Sequence, residues 1–186
     1  MRANWKELYE EVRQCQRCGL CAQRTQVVVG RGSATADIMF VGEGPGREED
    51  KQGLPFVGPA GQLLDKMIAA MELSQEQAYI CNIVKCRPPN NREPADDEAK
   101  ACLPYLRAQF VLVRPKIVVA LGRVAAKHIY SESIRITKDR GVWKESAGVF
   151  IMPTYHPAAL LRDPAKKKEA WVDLQAVMQK YAVLKS

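Results

Sequence analysis

The 186 residues carry 28 basic against 21 acidic side chains, a formal charge of +7, and 47% of them are hydrophobic. That composition excludes a disordered chain, and no run is long and apolar enough to span a bilayer. The polar residues after Met1 form no signal-peptide core, so a cytoplasmic protein is expected. One globular domain over 1–186 is expected, basic enough to favour a polyanion such as nucleic acid, although a mildly basic soluble protein has the same balance.

Residues 4–14 predict a short helix leading into the first cysteines. Residues 36–42 read as a buried strand that runs into a Gly/Pro-rich loop, Gly42-Glu-Gly-Pro-Gly46. Beyond it Ala60, Leu63, Leu64, Met67, Ile68 and Met71 recur at helical spacing. Residues 77–84 form a second strand and 88–94 a loop. Asp96 and Asp97 then complement the start of a helix striped with Ala99, Cys102, Leu103, Leu106 and Phe110. Pro104 is expected to bend that helix or delay its start, and Pro115 to stop it. Residues 116–121 are a third strand, followed by Gly122 and another helix, and 149–152 are a fourth. His156 opens a helical turn, and a last helix uses Trp171, Leu174, Met178 and Tyr181. Residues 131–148 show no clear period. Strands alternating with helices predict an α/β fold with a mostly parallel sheet covered on both faces. Ligand sites in such sheets gather at the carboxyl ends of strands, here the loops after Val41, Val84 and Met152.

Six cysteines in a chain expected in a reducing compartment argue for metal ligation or core packing rather than disulfides. Cys15-Gln-Arg-Cys18 puts two thiolates within reach of one metal centre, and Cys86 and Cys102 follow with fifteen residues between them. Four thiolates suit either a [4Fe–4S] cluster or a structural zinc, and spacing does not choose between them; small buried apolar residues are the alternative to both. Cys21 extends the first pair toward a ferredoxin-like run, but residues 22–29 supply neither a fourth cysteine nor the following proline. Cys81, within a strand, reads as core.

Three loops carry a resemblance. They are Gly42-Glu-Gly-Pro-Gly46 continuing through Phe56 to Gly61, then Asn82-Ile-Val-Lys-Cys-Arg-Pro-Pro-Asn-Asn-Arg92, and Tyr155-His-Pro-Ala-Ala-Leu-Leu-Arg162. In this order, and with the four cysteines in place, the chain resembles the family 4, iron–sulfur-containing uracil-DNA glycosylases from about Cys15 to the final helix. The resemblance implies a three-layer α/β/α fold with a four-stranded, mostly parallel central sheet. It also implies a [4Fe–4S] cluster rather than zinc, held by Cys15, Cys18, Cys86 and Cys102. Cys21 and Cys81 fall outside that ligand pattern.

The implied activity is hydrolytic excision of uracil from DNA by a monofunctional glycosylase, which must flip the nucleotide out of the helix. Phe56 suits stacking on the base. Asn82 suits reading its edge, since an amide can donate to O4 and accept from N3–H where cytosine presents the reverse. His156 suits stabilising the departing uracil anion at O2. Glu43 suits orienting water or supporting the sugar cation, while N–H groups near Gly44 hold the base. Transfer from the family places Glu49 in the pocket as the gate against thymine's methyl group. Leu160 or Leu161 suits a wedge into the minor groove, and Arg162 suits a phosphate, with Lys138 and Arg140 as further candidates. His128 reads as structural, and Glu48, Asp50 and Lys166 to Lys168 as solvated surface. Lys51 and Lys85, flanked by polar loops or pointing out of a strand, offer no buried amine nucleophile. The expected partner is uracil-containing DNA, single- or double-stranded, bound by a monomer without membrane contact. A uracil-DNA-binding module without turnover and a cluster-based electron-transfer protein are the alternatives.

Overall fold

The computed structural model describes residues 4–185, so residues 1–3 and 186 of the expected domain lie outside the described residues. Four strands, β2 (Ile38–Gly42), β3 (Ala78–Asn82), β4 (Ile117–Leu121) and β6 (Val149–Thr154), are mutually parallel and match those read from the sequence. Two short antiparallel strands, β1 (Arg31–Gly32) and β5 (Lys144–Ser146), extend them to a six-stranded sheet ordered β1-β3-β2-β4-β6-β5. The expected four-stranded sheet is thus its parallel centre; strands of two and three residues are too short to show a period.

Every residue of β2, β3 and β4 is buried, as parallel strands covered on both faces must be. Side chains alternate between two cores. Ile38, Phe40, Ile117 and Val119 pack toward α3 (Pro59–Ala70) and α8 (Lys167–Lys185). Met39, Val41, Val118 and Ala120 pack toward α1 (Trp5–Arg13), α4 (Asp96–Val113) and α5 (Gly122–Ile129). The architecture is α/β/α.

Helix α4 runs through Pro104 without a delayed start. Its buried stripe, Ala99, Cys102, Tyr105, Leu106 and Val113, continues on both sides of the proline and outweighs the single lost hydrogen bond. It stops at Arg114, in the left-handed conformation before Pro115. Helix α2 (Arg47–Gln52) lies where the sequence reads as loop, because Arg-Glu-Glu-Asp-Lys-Gln has no apolar face; Gly53, at φ 70°, ends it. Residues 131–148 hold α6 (Ile136–Asp139) and β5.

The chain leaves β2 for β3 on one side of it and returns through α4 to β4 on the other, so the switch point lies at the carboxyl ends of β2 and β4. Past β3 the backbone stays alongside the loop after β2. Ile83 N–H donates to the Gly42 carbonyl (2.9 Å) and Val84 N–H to that of Glu43 (3.2 Å). The end of β6 is pinned to α8: Thr154 Oγ1 donates to Asp173 Oδ2 (2.6 Å) and Tyr155 OH to Glu169 Oε2 (2.9 Å). Those two bonds fix the stretch from which His156 enters α7 (Pro157–Arg162).

Candidate active site

A cleft of about 540 Å³ opens at this switch point and brings together Glu43, Gly44, Glu49, Phe56, Asn82, His156 and Arg162, all expected at the site from the sequence. Leu161 stands beside it on α7, 45% exposed, while Leu160 is buried in a small core with Tyr155.

Asn82 ends β3 with 1% exposure, and its Oδ1 is the only buried side-chain polar atom among the described residues that lacks a hydrogen-bond partner. Gly42, its neighbour across the β2–β3 ladder, makes room for it. A Cβ there would lie 2.6 Å from Asn82 Oδ1 and 2.5 Å from Phe56 Cζ.

Phe56 is buried, with its ring 5.6 Å from that of His156 at 28°. Its backbone is left-handed, φ 55°, which costs on the order of 1–2 kcal/mol for a residue with a side chain. The surroundings hold it there from both sides. Arg31 donates to the carbonyls of Pro55 (3.0 Å) and Phe56 (3.3 Å). Glu49 Oε1 accepts from the N–H groups of Val57 (2.9 Å) and Gly58 (2.8 Å), while its Oε2 accepts from Gly46 N–H (3.1 Å). Gly61 packs against the same peptide, where a Cβ would overlap the Phe56 carbonyl. Glu49 therefore lines the cleft with its carboxylate engaged by three backbone N–H groups, a loop-holding job that the expected gate did not include.

His156 caps α7: its Nδ1 accepts from Ala158 N–H (3.1 Å), which leaves the ring hydrogen on Nε2. Burial lowers its pKa to about 4, helped by the positive Arg162 and opposed by Glu49, so the imidazole is neutral at physiological pH. Gly122, at φ 86°, lets β4 turn into α5 close beside His156; a Cβ on Gly122 would lie 2.8 Å from His156 Cβ. Burial also raises Glu43, to about 7; Glu93 adds to the rise, and Arg123 and Arg162 oppose it. Arg123 is ion-paired with Glu93, and both line the cleft.

Glu93, Arg123 and Gly122 were not foreseen. Gly122 carried a signal, a glycine directly after a buried strand; the ion pair carried none, since its partners are thirty residues apart. Three expectations need correction. Asp50 is buried rather than solvated, and its Oδ1 accepts from the N–H groups of Thr25 (2.9 Å) and Gln26 (3.4 Å). Arg140 is held internally by Glu169 (2.9 Å) and Asp173, which removes it as a free phosphate ligand. Lys85 does not point out of the sheet but is fully buried.

Cys15, Cys18, Cys21, Cys86 and Cys102 line a second cavity, between the segment after α1, the loop after β3, and α4; all are free thiols. Three N–H groups already point at sulfur: Lys85 N–H at Cys102 Sγ (3.3 Å), Arg24 Nη1 at Cys86 Sγ (3.2 Å) and Arg17 N–H at Cys15 Sγ (3.5 Å). Burial raises the thiols of Cys18, Cys86 and Cys102, the last to about 11, whereas Arg24 pulls Cys86 down and Lys85 pulls Cys102 down. Among the described residues no three Cys, His, Asp or Glu side chains are grouped so as to hold a single metal ion. Cys81 is core, as expected.

Residues 29–175 match the uracil DNA glycosylase superfamily. The chain is 46% identical over 183 residues to a type-4 uracil-DNA glycosylase of Sulfurisphaera tokodaii, covering 94% of this chain and 83% of that one. It is 47% identical over 158 residues to that of Thermotoga maritima, covering 83% and 81%. To a type-5 uracil-DNA glycosylase of Pyrobaculum aerophilum it is 32% identical over 146 residues, covering 69% and 64%. With its loops meeting in one cleft and its sequence matched over nearly its whole length, the chain belongs to the uracil-DNA glycosylase superfamily and, within it, to the type-4 family.

Proposed function

We propose that the protein excises uracil from DNA by hydrolysing the N-glycosidic bond, leaving an abasic site. The observation that carries this reading is Asn82 Oδ1. A buried acceptor without a partner costs free energy unless a ligand supplies a donor, and uracil offers N3–H where cytosine offers only an acceptor. Phe56, held in a strained conformation by Arg31 and Glu49, supplies a flat wall for the flipped base. Neutral His156 directs its Nε2 hydrogen at charge developing on the leaving base, a preorganised donor whose loss costs roughly 10²–10³ in rate. Glu43, as carboxylate, orients water or faces the positive sugar; Arg123 and Arg162 favour that ionised form. No lysine is among the cleft-lining residues, so hydrolysis proceeds without a Schiff base and borohydride traps no adduct. Exposed Leu161 and cleft-side Arg162 fit a wedge and a phosphate contact.

Cys15, Cys18, Cys86 and Cys102 are the residues proposed to hold a [4Fe–4S] cluster. Their support is a shared cavity and three N–H···S bonds, which suit thiolate ligands. When bound, the cluster supplies a crosslink between the N-terminal segment, the loop after β3 and α4, and a centre capable of electron transfer. A single sheet carries both sites, in keeping with one domain; action as a monomer in the cytoplasm completes the proposal.

The test is cleavage of an oligonucleotide with one uracil, followed by alkali. Scission at the uracil is expected, lost in Asn82→Ala and slowed roughly 10²–10³-fold in His156→Ala. Tight binding without scission would instead identify a binding module.

A further inference from the structure

Lys85 has no solvent exposure, and its Nζ donates to the Asn82 carbonyl (2.7 Å) and to Gln109 Oε1 (2.5 Å). Both partners are neutral. Gln109, equally buried, is itself committed through Nε2 to the Val29 carbonyl (2.8 Å) and Tyr79 OH (2.9 Å). An ammonium enclosed by neutral groups is strongly disfavoured unless negative charge stands nearby. Lys85 also lines the cysteine cavity, and its own N–H donates to Cys102 Sγ (3.3 Å). The other cations lining the cavity, Arg17 and Arg24, are both more exposed than Lys85, and Arg24 reaches Cys86 Sγ. One side chain therefore stands between the two sites, touching the backbone of the base-reading residue at one and lining the other.

We propose that Lys85 is the internal counter-cation of the cluster-bearing cysteine cavity and, through its bond to the Asn82 carbonyl, the positioning residue that ties the uracil-reading amide to cluster occupancy. This rests on the reading that the four cysteines hold an iron–sulfur cluster, whose thiolate ligands leave it net negative. With that charge in place the ammonium is compensated. Without it the buried charge is uncompensated, and its hold on the Asn82 carbonyl is weakened.

The experiment is a thermodynamic cycle on the full chain. Iron and sulfide are first quantified in wild type and in Lys85→Met, which keeps the apolar stem and removes the charge. Melting temperatures are then recorded before and after the iron is stripped with a chelator, and the cluster's reduction midpoint is measured in both proteins. Stripping is expected to lower the melting temperature more in wild type than in Lys85→Met. The variant's midpoint is expected to be more negative, since a positive charge beside the cluster is gone. An equal loss in both proteins, or an unchanged midpoint, overturns the inference. Should Lys85→Met fail to fold, Lys85→Gln, which keeps a donor without the charge, is read the same way. Wild-type protein without iron would overturn the cofactor reading and this inference together, whereas loaded wild type without coupling overturns the inference alone.

Discussion

Burial moves Glu43 and His156 in opposite directions, and the two shifts decide the pH at which each is usable. Glu43 ionises near 7 in the folded chain instead of 4.5, so kcat/KM should fall as pH drops below about 7. His156, ionising near 4 instead of 6.5, stays a neutral donor throughout that range and adds no limb of its own. A pH–rate profile checks both, and Glu43→Gln should abolish the acid limb together with roughly 10²–10⁴ of the rate. The same shifts act oppositely on stability. The folded state holds the Glu43 proton more tightly between pH 4.5 and 7, so this group's contribution declines as pH rises through that window. The unfolded state holds the His156 proton more tightly between pH 4 and 6.5, so that contribution grows with pH. Glu43→Gln should therefore raise the melting temperature more at pH 8 than at pH 4. Asn82→Ala should lose activity without losing stability in proportion, because it deletes an acceptor that has no partner in the fold. These residue types were readable from sequence. Their neighbours were less so: Asp50 and Lys85 are charged residues in polar-looking stretches, and only tertiary partners, the Thr25 and Gln26 amides for one and Gln109 for the other, reveal that they are buried.

At the scale of elements, the cleft is made by strand ends that approach one another closely through glycine. A methyl group at Gly42 would press on both Phe56 and Asn82, and one at Gly122 would meet His156 Cβ in a backbone conformation that L side chains rarely adopt. Gly42→Ala should leave the fold intact and lower kcat/KM about 10²-fold, the penalty of a misplacement of order 1 Å. Gly122→Ala should cost activity and stability together, and thermal melting beside steady-state kinetics separates the two. The four parallel strands were legible because each is an unbroken apolar run bounded by Gly, Pro or Asn. Helix α2 was not, since a six-residue helix with a wholly polar sequence is held by Glu49 and Asp50 reaching across to other segments. Pro104 misled for the opposite reason: a strong local signal was overridden by the packing of a long helix on both sides of it.

For the whole molecule, the formal charge of +7 predicts affinity for DNA that falls linearly in log–log form with salt. Arg162→Ala should reduce that slope by about 0.9, the share of one phosphate contact, and fluorescence anisotropy across a salt series measures it. The sheet ends on one side in β1, two residues long and including a glycine, and on the other in β5, where Lys144, Glu145 and Ser146 are all exposed. A free sheet edge is a template on which another chain can add a strand, and here the template is a stub on one side and charged on the other. The hydrophobic run of β2, β3 and β4, which would be the most aggregation-prone stretch of the chain if exposed, is thereby screened from the open edges by one strand on one side and two on the other. Concentrated protein should resist fibre formation for as long as it stays folded, and lose that resistance once the edges fray.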